Sequence, residues 1–201
     1  DRFVLGNKGS ALIHEMLHNL GARFNGRPCH IPAALDRNGT VVHALLSGTY
    51  AGGSMDEVMA RDYLAGRYWG AMDSNEEGFW NFETMNLKGE QKDCAVYLSF
   101  WLFSPRSLVN LLLEPNMPRL DLEFAADDKL AVYVNGNLLD NAVKRQDNPA
   151  LPQRIEGIPL EKGWNHVLLK VGQLWGGWNG RFRFIATDPA YMRQLESVIM
   201  Q

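Results

Sequence analysis

The sequence has few cysteines, no block of basic residues and no long apolar run. Its 2 cysteines, Cys29 and Cys94, could pair, but they are too few for a disulfide framework. The formal net charge is -3, and without a basic block nothing indicates a nucleic-acid partner. No apolar stretch reaches the roughly 20 residues of a membrane-spanning helix. These absences leave a globular chain with one sizeable core, alone or with a small appendage.

The first residues also lack the features of a secretory signal. The stretch DRFVLGNKGSALIHE has no basic start followed by an apolar core and a small-residue cleavage site. We therefore expect a trimmed or excised piece of a longer protein. Its partner would be a preceding domain or a separate chain of that protein.

Most of the chain has the pattern of strands and turns. The stretch CAVYLSFWLFS is aromatic and β-branched, and RLDLEFAADD alternates apolar with acidic residues, as a half-buried strand does. Asn135-Gly136 predicts a tight hairpin, because both turn positions favour positive φ. Several short strands divided by turns favour a β-sandwich or jelly roll over a parallel sheet.

Three segments follow from this pattern. Residues 1–40 are predicted to hold an N-terminal helix and a connector, which could be the tail of a preceding domain. Residues 41–188 are predicted to form the sandwich, with a further short helix from Met55 to Gly66. Residues 189–201 are predicted to form a C-terminal helix. The expected fold class is mainly β, a jelly-roll β-sandwich with short helical segments at the N- and C-termini.

The larger segment carries a set of short motifs in a fixed order. They are an acidic pair, a strand, an Asn-Gly hairpin, a Gly-x-Asn turn and an apolar strand: Asp127-Asp128, Val132 to Val134, Asn135-Gly136, Gly163-Trp164-Asn165 and Leu168 to Val171. Together they resemble the galactose-binding-like β-sandwich modules of secreted bacterial hydrolases. The resemblance implies a jelly roll, an extracellular or periplasmic location, and either sugar binding or packing against a catalytic domain.

Two pairs of residues are candidates for ligand binding. Asp127 and Asp128 lie in a predicted loop, where their carboxylates could hold Ca²⁺ or sugar hydroxyls, or could cap a strand and solvate a turn. Trp175 and Trp178 lie among glycines, where they could stack on the apolar C–H faces of sugars or plug the end of the sandwich. Trp164 is expected in the core.

The stretch ALIHEMLHNLG predicts an amphipathic helix with its histidines on the polar face. It resembles the His-Glu-x-x-His motif of the zincin peptidases. That resemblance implies that His14 and His18 hold Zn²⁺ and that Glu15 acts as the general base on zinc-bound water.

Two observations favour an ordinary helix that packs on the sandwich instead. Only 13 residues precede His14, although zincin helices lie beneath a sheet built from earlier sequence. Phe24 stands where the metzincin branch has a third histidine. A remaining ligand would have to come from elsewhere, and the candidates are Cys29, His30, Asp36 and Glu57.

The sequence therefore leaves three functions. The first is a non-catalytic carbohydrate-binding or packing module that forms the C-terminal part of a larger secreted hydrolase, with glycans as possible ligands. The second is a zinc metallopeptidase fragment that uses the His-Glu-x-x-His helix. The third is a structural subunit of an extracellular assembly. We expect the first, and hence no catalysis by the chain as given.

Overall fold

The computed structural model describes residues 23–24, 27–28, 32–51, 69–85, 87, 92–109, 117–139, 144–145, 152–174 and 176–199. The helix predicted between Ser10 and Leu20 lies outside these residues, and so does the helix predicted between Met55 and Gly66. Within the described ranges, no helix is long and apolar enough to cross a membrane.

The described residues form fifteen strands and one short helix. The strands are β1 (Arg23–Phe24), β2 (Arg27–Pro28), β3 (His43–Ser47), β4 (Tyr50–Ala51), β5 (Trp69–Asp73), β6 (Phe79–Asn81), β7 (Cys94–Ser104), β8 (Leu120–Ala126), β9 (Lys129–Val134), β10 (Asn137–Leu138), β11 (Lys144–Arg145), β12 (Gln153–Ile155), β13 (Gly163–Gln173), β14 (Asn179–Ala186) and β15 (Glu196–Val198). The helix is α1 (Pro189–Met192).

Apart from the pair β1–β2, the strands belong to two antiparallel sheets with a shared core. The larger sheet has the order β10-β9-β13-β7-β3-β5, with β11 paired to β9, and β4 and β15 paired to β7. The smaller sheet has the order β12-β8-β14-β6. Buried apolar residues from both sheets make one cluster. The prediction of a mainly β sandwich is confirmed.

The two longest strands pair along their whole length. Cys94 lies opposite Gln173 at one end of the β7–β13 pair, and Ser104 lies opposite Gly163 at the other. Alternate side chains of both strands enter the core, where Phe100 meets Phe184 of the smaller sheet edge-on, with ring centroids 6.0 Å apart. Strand β7 has the bounds that the sequence predicts. Cys94 is buried, and its pairing with Cys29 stays a prediction because Cys29 lies outside the described residues.

The alternation predicted for β8 is confirmed, with one departure. Leu120, Leu122 and Phe124 face the core, and Glu123 is half-buried on the other face. Asp121, however, is only 1% exposed. Arg119 donates two hydrogen bonds to its carboxylate, at 2.8 and 3.0 Å, and Gly157 donates a backbone bond at 3.0 Å. A buried carboxylate is tolerated here because charged and backbone donors satisfy it.

The Asn-Gly hairpin is confirmed, and the sandwich extends further toward the N-terminus than predicted. Asn135 and Gly136 both have positive φ, at 52° and 82°, between β9 and β10. Ala34 and Val41 are fully buried in the core, and the Val41 N–H donates to the Phe182 carbonyl at 2.9 Å. Residues before the predicted start at position 41 also bond to β14: the Phe184 N–H donates to the Gly39 carbonyl at 2.8 Å, and Thr40 forms a bridge to Arg183.

The predicted C-terminal helix over residues 189–201 is wrong beyond its first turn. Asp188 caps α1 by accepting a hydrogen bond from the Ala190 N–H at 2.8 Å. The chain then forms β15, which pairs with β7 through Glu196 opposite Phe103. The hydrogen bonds that β15 makes with the edge of β7 outweigh the helical pattern of residues 193–199, because local helix propensity is a weak preference.

The outer face of the larger sheet is rich in aromatic residues. Trp164 is buried, as predicted, but it lies on this face rather than between the sheets, with its ring 5.4 Å from that of Phe103. Beside it, the Ser99 hydroxyl and His166 Nε2 are hydrogen-bonded at 2.8 Å. Burial lowers the pKa of His166 below its ordinary value, because the charged imidazolium is poorly solvated there.

We expect the Gly39→Ala substitution to destabilise the fold strongly. Gly39 has a φ of 82°, and a Cβ atom there would overlap the backbone carbonyl of Phe184. The loss in the free energy of unfolding should be roughly 2–5 kcal/mol, since backbone strain and overlap add. Gly136→Ala is the matched control, because Gly136 has the same φ and open space around it. Its cost should be about 1–2 kcal/mol in denaturant unfolding. Equal losses would contradict the close packing of Gly39.

We expect His166 to make stability depend on pH. Its lowered pKa means that the unfolded chain binds the proton more readily than the folded chain. Stability should therefore be full above the unfolded pKa of about 6.5 and fall as the pH drops below it. Urea unfolding between pH 5 and 8 measures this slope. The His166→Gln variant should lose that part of the slope, whereas His43→Gln, which keeps His166, should retain it. A slope that His166→Gln leaves unchanged would contradict the assignment.

Candidate functional site

The predicted acidic pair lies in the turn between β8 and β9, at one end of the sandwich. Asp128 Oδ2 accepts a hydrogen bond from the Leu174 N–H at 2.6 Å, directly after β13. The backbone N–H of Asp127 donates to the Asn179 carbonyl at 3.2 Å. Asp128 thus caps the end of a strand. The sequence left open whether this residue would cap a strand or bind a ligand.

The carboxylate of Asp127 is partly buried and lies near two other carboxylates, those of Asp128 and Glu83. Burial raises the pKa of Asp127 above its ordinary value, and Asp128 and Glu83 raise it further. A Cβ atom on Gly177 would lie 3.0 Å from Asp127 Oδ2, so this glycine lets the carboxylate approach the backbone of the β13–β14 turn. A role of Asp127 in ligand binding stays a prediction.

Of the two tryptophans predicted as a sugar platform, the structure describes Trp178 alone. Trp178 is 0% exposed, and its ring packs 5.3 Å from that of Phe82 inside the core. Its position matches the alternative in which a tryptophan plugs the end of the sandwich, because a fully buried ring offers no face to a sugar. Trp175 lies outside the described residues.

The residues predicted to hold a metal ion do not form a site in the described part of the chain. His14, Glu15 and His18 lie outside it, so the zinc motif stays an untested prediction. Asp36, a candidate for a further zinc ligand, holds a turn instead. Among the described residues, no group of three or more His, Cys, Asp and Glu side chains is placed to hold a metal ion. A Ca²⁺ site at Asp127 and Asp128 stays a prediction.

A groove that the sequence did not predict lies on the outer face of the smaller sheet. Its volume is about 480 Å³, within the range of small-molecule sites. Two turns form its walls and strand β14 forms its floor. The lining residues are Asp36, Asn38, Thr40, Val42, Glu76, Glu77, Gly78, Phe79, Arg181 and Arg183.

The two wall turns have the same hydrogen-bond pattern. In the first, Asp36 Oδ1 accepts from the backbone N–H groups of Asn38 and Thr40, both at 2.8 Å. In the second, Asn75 Oδ1 accepts from those of Glu77 and Phe79, at 3.0 and 2.8 Å. We call them the twin turns, residues 36–40 and 75–79. Each is a tight loop with a side chain that mimics a backbone acceptor.

Glycines let the twin turns fit against the sheet and against each other. Gly39 and Gly78, the fourth residue of each turn, have φ values of 82° and 80°. A Cβ atom on Gly78 would lie 2.5 Å from Thr40 Cγ2, so the turns touch at this point. Thr40 in turn forms a bridge to Arg183 of β14. The width of the groove is thereby fixed by backbone contacts.

Strand β14 supplies two guanidinium groups to the floor. Arg181 lies over the ring of half-buried Phe79, with 5.6 Å between its Cζ and the ring centroid. Arg183 Nε donates to the Asn38 carbonyl at 3.0 Å. Glu76 and Glu77 bring carboxylates to the same groove. Donor and acceptor side chains thus converge around one aromatic ring, which is an arrangement for binding a polar ligand with an apolar face.

A local signal for the twin turns exists in the sequence. DRNGT and NEEGF both have Asp or Asn three residues before glycine, and that pattern predicts a turn. The sequence analysis predicts a connector with turn residues in the first stretch, but it does not predict that the turn at residues 75–79 lies beside it. The groove needs residues that are more than 100 positions apart, such as Asp36 and Arg183, and no spacing rule connects them.

Comparison with known proteins shows distant structural similarity only. No family model matches the chain, and no curated protein is similar to it in sequence. Among solved structures, it is similar to the epithelial adhesin 9 A domain from Candida glabrata in complex with Galb1-3GlcNAc, with a TM-score of 0.44 and 12% identity over 84% of this chain and 96% of that chain.

It is also similar to a family 35 carbohydrate binding module from an environmental isolate, with a TM-score of 0.37 and 13% identity over 57% of this chain and 78% of that chain. The β-glucosidase from Kluyveromyces marxianus, in complex with glucose, gives a TM-score of 0.43 and 14% identity over 75% of this chain. The chain spans only 16% of the length of that enzyme. Similarities at this distance assign no function, since one fold serves many.

Proposed function

We propose that this chain is a carbohydrate-binding module and that its sugar lies in the groove between the twin turns. The observation that supports this proposal is the convergence of carboxylates and guanidinium groups around the half-buried ring of Phe79. No catalytic role is needed for any of these residues.

Sugar hydroxyls match the polar lining of the groove. Each hydroxyl donates one hydrogen bond and accepts others, so it can bond a carboxylate and a guanidinium group at the same time. Glu76 and Glu77 offer acceptors, and Arg181 and Arg183 offer donors. Bonds to charged groups are the stronger ones, contributing roughly 1.5–3 kcal/mol each. The half-buried ring of Phe79 adds apolar surface to the groove beside the Arg181 guanidinium.

The twin turns hold this lining in place before a ligand arrives. The side chains of Asp36 and Asn75 each accept two backbone hydrogen bonds, and the turns meet at Thr40 and Gly78. A preformed wall loses little conformational entropy on binding, which favours affinity. This rigidity supports recognition of a particular ligand shape.

The wider context of the proposal comes from the sequence. The motifs that resemble galactose-binding-like modules favour an accessory part of a larger secreted hydrolase, acting outside the cell or in the periplasm. A preceding domain or separate chain would then be its partner. Asp127, in the turn between β8 and β9, and Trp175, which the sequence predicts as a sugar contact, are a second candidate site for the sugar.

We expect the Arg181→Ala substitution to weaken glycan binding roughly tenfold to a hundredfold, because a charged donor is lost from the groove floor. Arg181 is exposed, so the fold should tolerate the change. Isothermal titration with neutral gluco-, manno- and galacto-oligosaccharides measures the affinity. Arg193→Ala, an exposed arginine outside the groove, is the matched control and should bind as the unchanged protein does.

Two results would count against the proposal. Absence of binding to every glycan in the panel would reject a carbohydrate-binding function in this form. Binding that Asp127→Asn abolishes and Arg181→Ala leaves intact would place the sugar at the end of the sandwich rather than in the groove.

A further inference from the structure

A second hollow adjoins the groove on the same face of the smaller sheet. Its volume is about 190 Å³. It shares Phe79, Arg181 and Arg183 with the groove and extends past them to Ala125 and Pro152. Three common side chains make the two hollows neighbours rather than separate cavities.

The strand register places these residues in one row across the sheet. Arg181 of β14 lies opposite Phe79 of β6 on one side and opposite Ala125 of β8 on the other. Pro152 directly precedes β12, whose first residue lies opposite Phe124. Neighbouring strands are about 4.8 Å apart, so four strands span roughly 14 Å from Phe79 to Pro152. The row therefore extends beyond the groove, across β8 as far as Pro152.

We propose that the two hollows are adjoining subsites for a neutral oligosaccharide that lies across the strands of the smaller sheet. This inference rests on the proposed carbohydrate-binding function. The first subsite lies between the twin turns, and the second lies over Ala125 with Pro152 at its far side. Arg181 and Arg183, which line both, contact both sugar units.

The small side chain of Ala125 keeps the second subsite open. Its neighbour in the row, Arg181, has a much larger side chain, so the surface is hollow at Ala125 between Arg181 and Pro152. A larger residue there would fill this subsite and leave the groove between the twin turns unchanged. Ala125 is half-buried on the outer face, away from the core side chains of β8.

The balance of charge favours a neutral ligand over an acidic one. Glu123, in the second hollow, is paired with Arg154 at 3.4 Å. The remaining carboxylates of the lining are Asp36, Glu76 and Glu77, and they face two guanidinium groups. This excess lies in the groove between the twin turns, where it repels a uronic acid and gives acceptors to the hydroxyls of a neutral sugar.

The test measures affinity as a function of chain length. Mono-, di- and trisaccharides of the neutral series that binds best are titrated into the unchanged protein and into Ala125→Trp. We expect the unchanged protein to bind the trisaccharide about tenfold or more tightly than the monosaccharide, through contacts worth at least 1.4 kcal/mol. Ala125→Trp should lose this gain and keep the monosaccharide affinity. Leu138→Trp, at an exposed site on the other sheet, should keep the gain.

Circular dichroism of each variant establishes that it is folded, and Ala125→Leu provides a milder block if the tryptophan variant is not. Equal affinities for all chain lengths would overturn the second subsite, and so would a gain that survives both substitutions at Ala125. Tighter binding of a uronic acid oligosaccharide than of its neutral counterpart would overturn the neutral class. In each of these outcomes a glycan still binds, so the proposed function stands. Binding of no glycan at all would reject that function itself.

Discussion

The structure depends on the pairing of β7 with β13. These strands are joined over eleven residues each. Four further strands of the larger sheet attach directly to their free sides, and β5, β10 and β11 lie beyond those. β9 bonds to β13, and β3, β4 and β15 share the far edge of β7. Because side chains alternate between faces, this register decides which residues enter the core. A slip by one position would turn Phe100 outward and Trp101 inward.

The same rule of alternation separates the core of the smaller sheet from its proposed binding face. On β14, Phe182 and Phe184 face the core, and Arg181 and Arg183 face the groove. The two functions thus use different residues of one strand. Substitutions on the outer face can alter the proposed ligand contacts with little effect on core packing, provided that they leave the twin turns intact. Asp121 is an exception on this face, since it is buried and its arginine contacts hold the end of the sheet.

Much of the fold could be predicted from the sequence because its signals are local. Aromatic and β-branched residues defined β7, and Asn135-Gly136 defined the hairpin. The C-terminal helix failed beyond one turn because edge pairing with β7 is a long-range contact. The role of Trp178 stayed open because glycine neighbours do not reveal burial. The groove could not be predicted at all, since three distant segments meet there only after the sheets form. The zinc motif and Trp175 lie outside the described residues and stay predictions.

In the twin turns, some residues hold the backbone in place and others provide the side chains that line the groove. Asp36, Asn75 and the glycines maintain the backbone, and each is tied to its place by hydrogen bonds or close packing. The intervening residues Asn38 and Glu77 bond to the turns through their backbone N–H groups, and their side chains, with that of Glu76, line the groove. A surface of this kind resembles a paratope on a fixed framework: its chemistry can be rewritten by substitution alone, without insertions. Related chains with the same two turns could thus recognise different ligands through changes at a few adjacent sites.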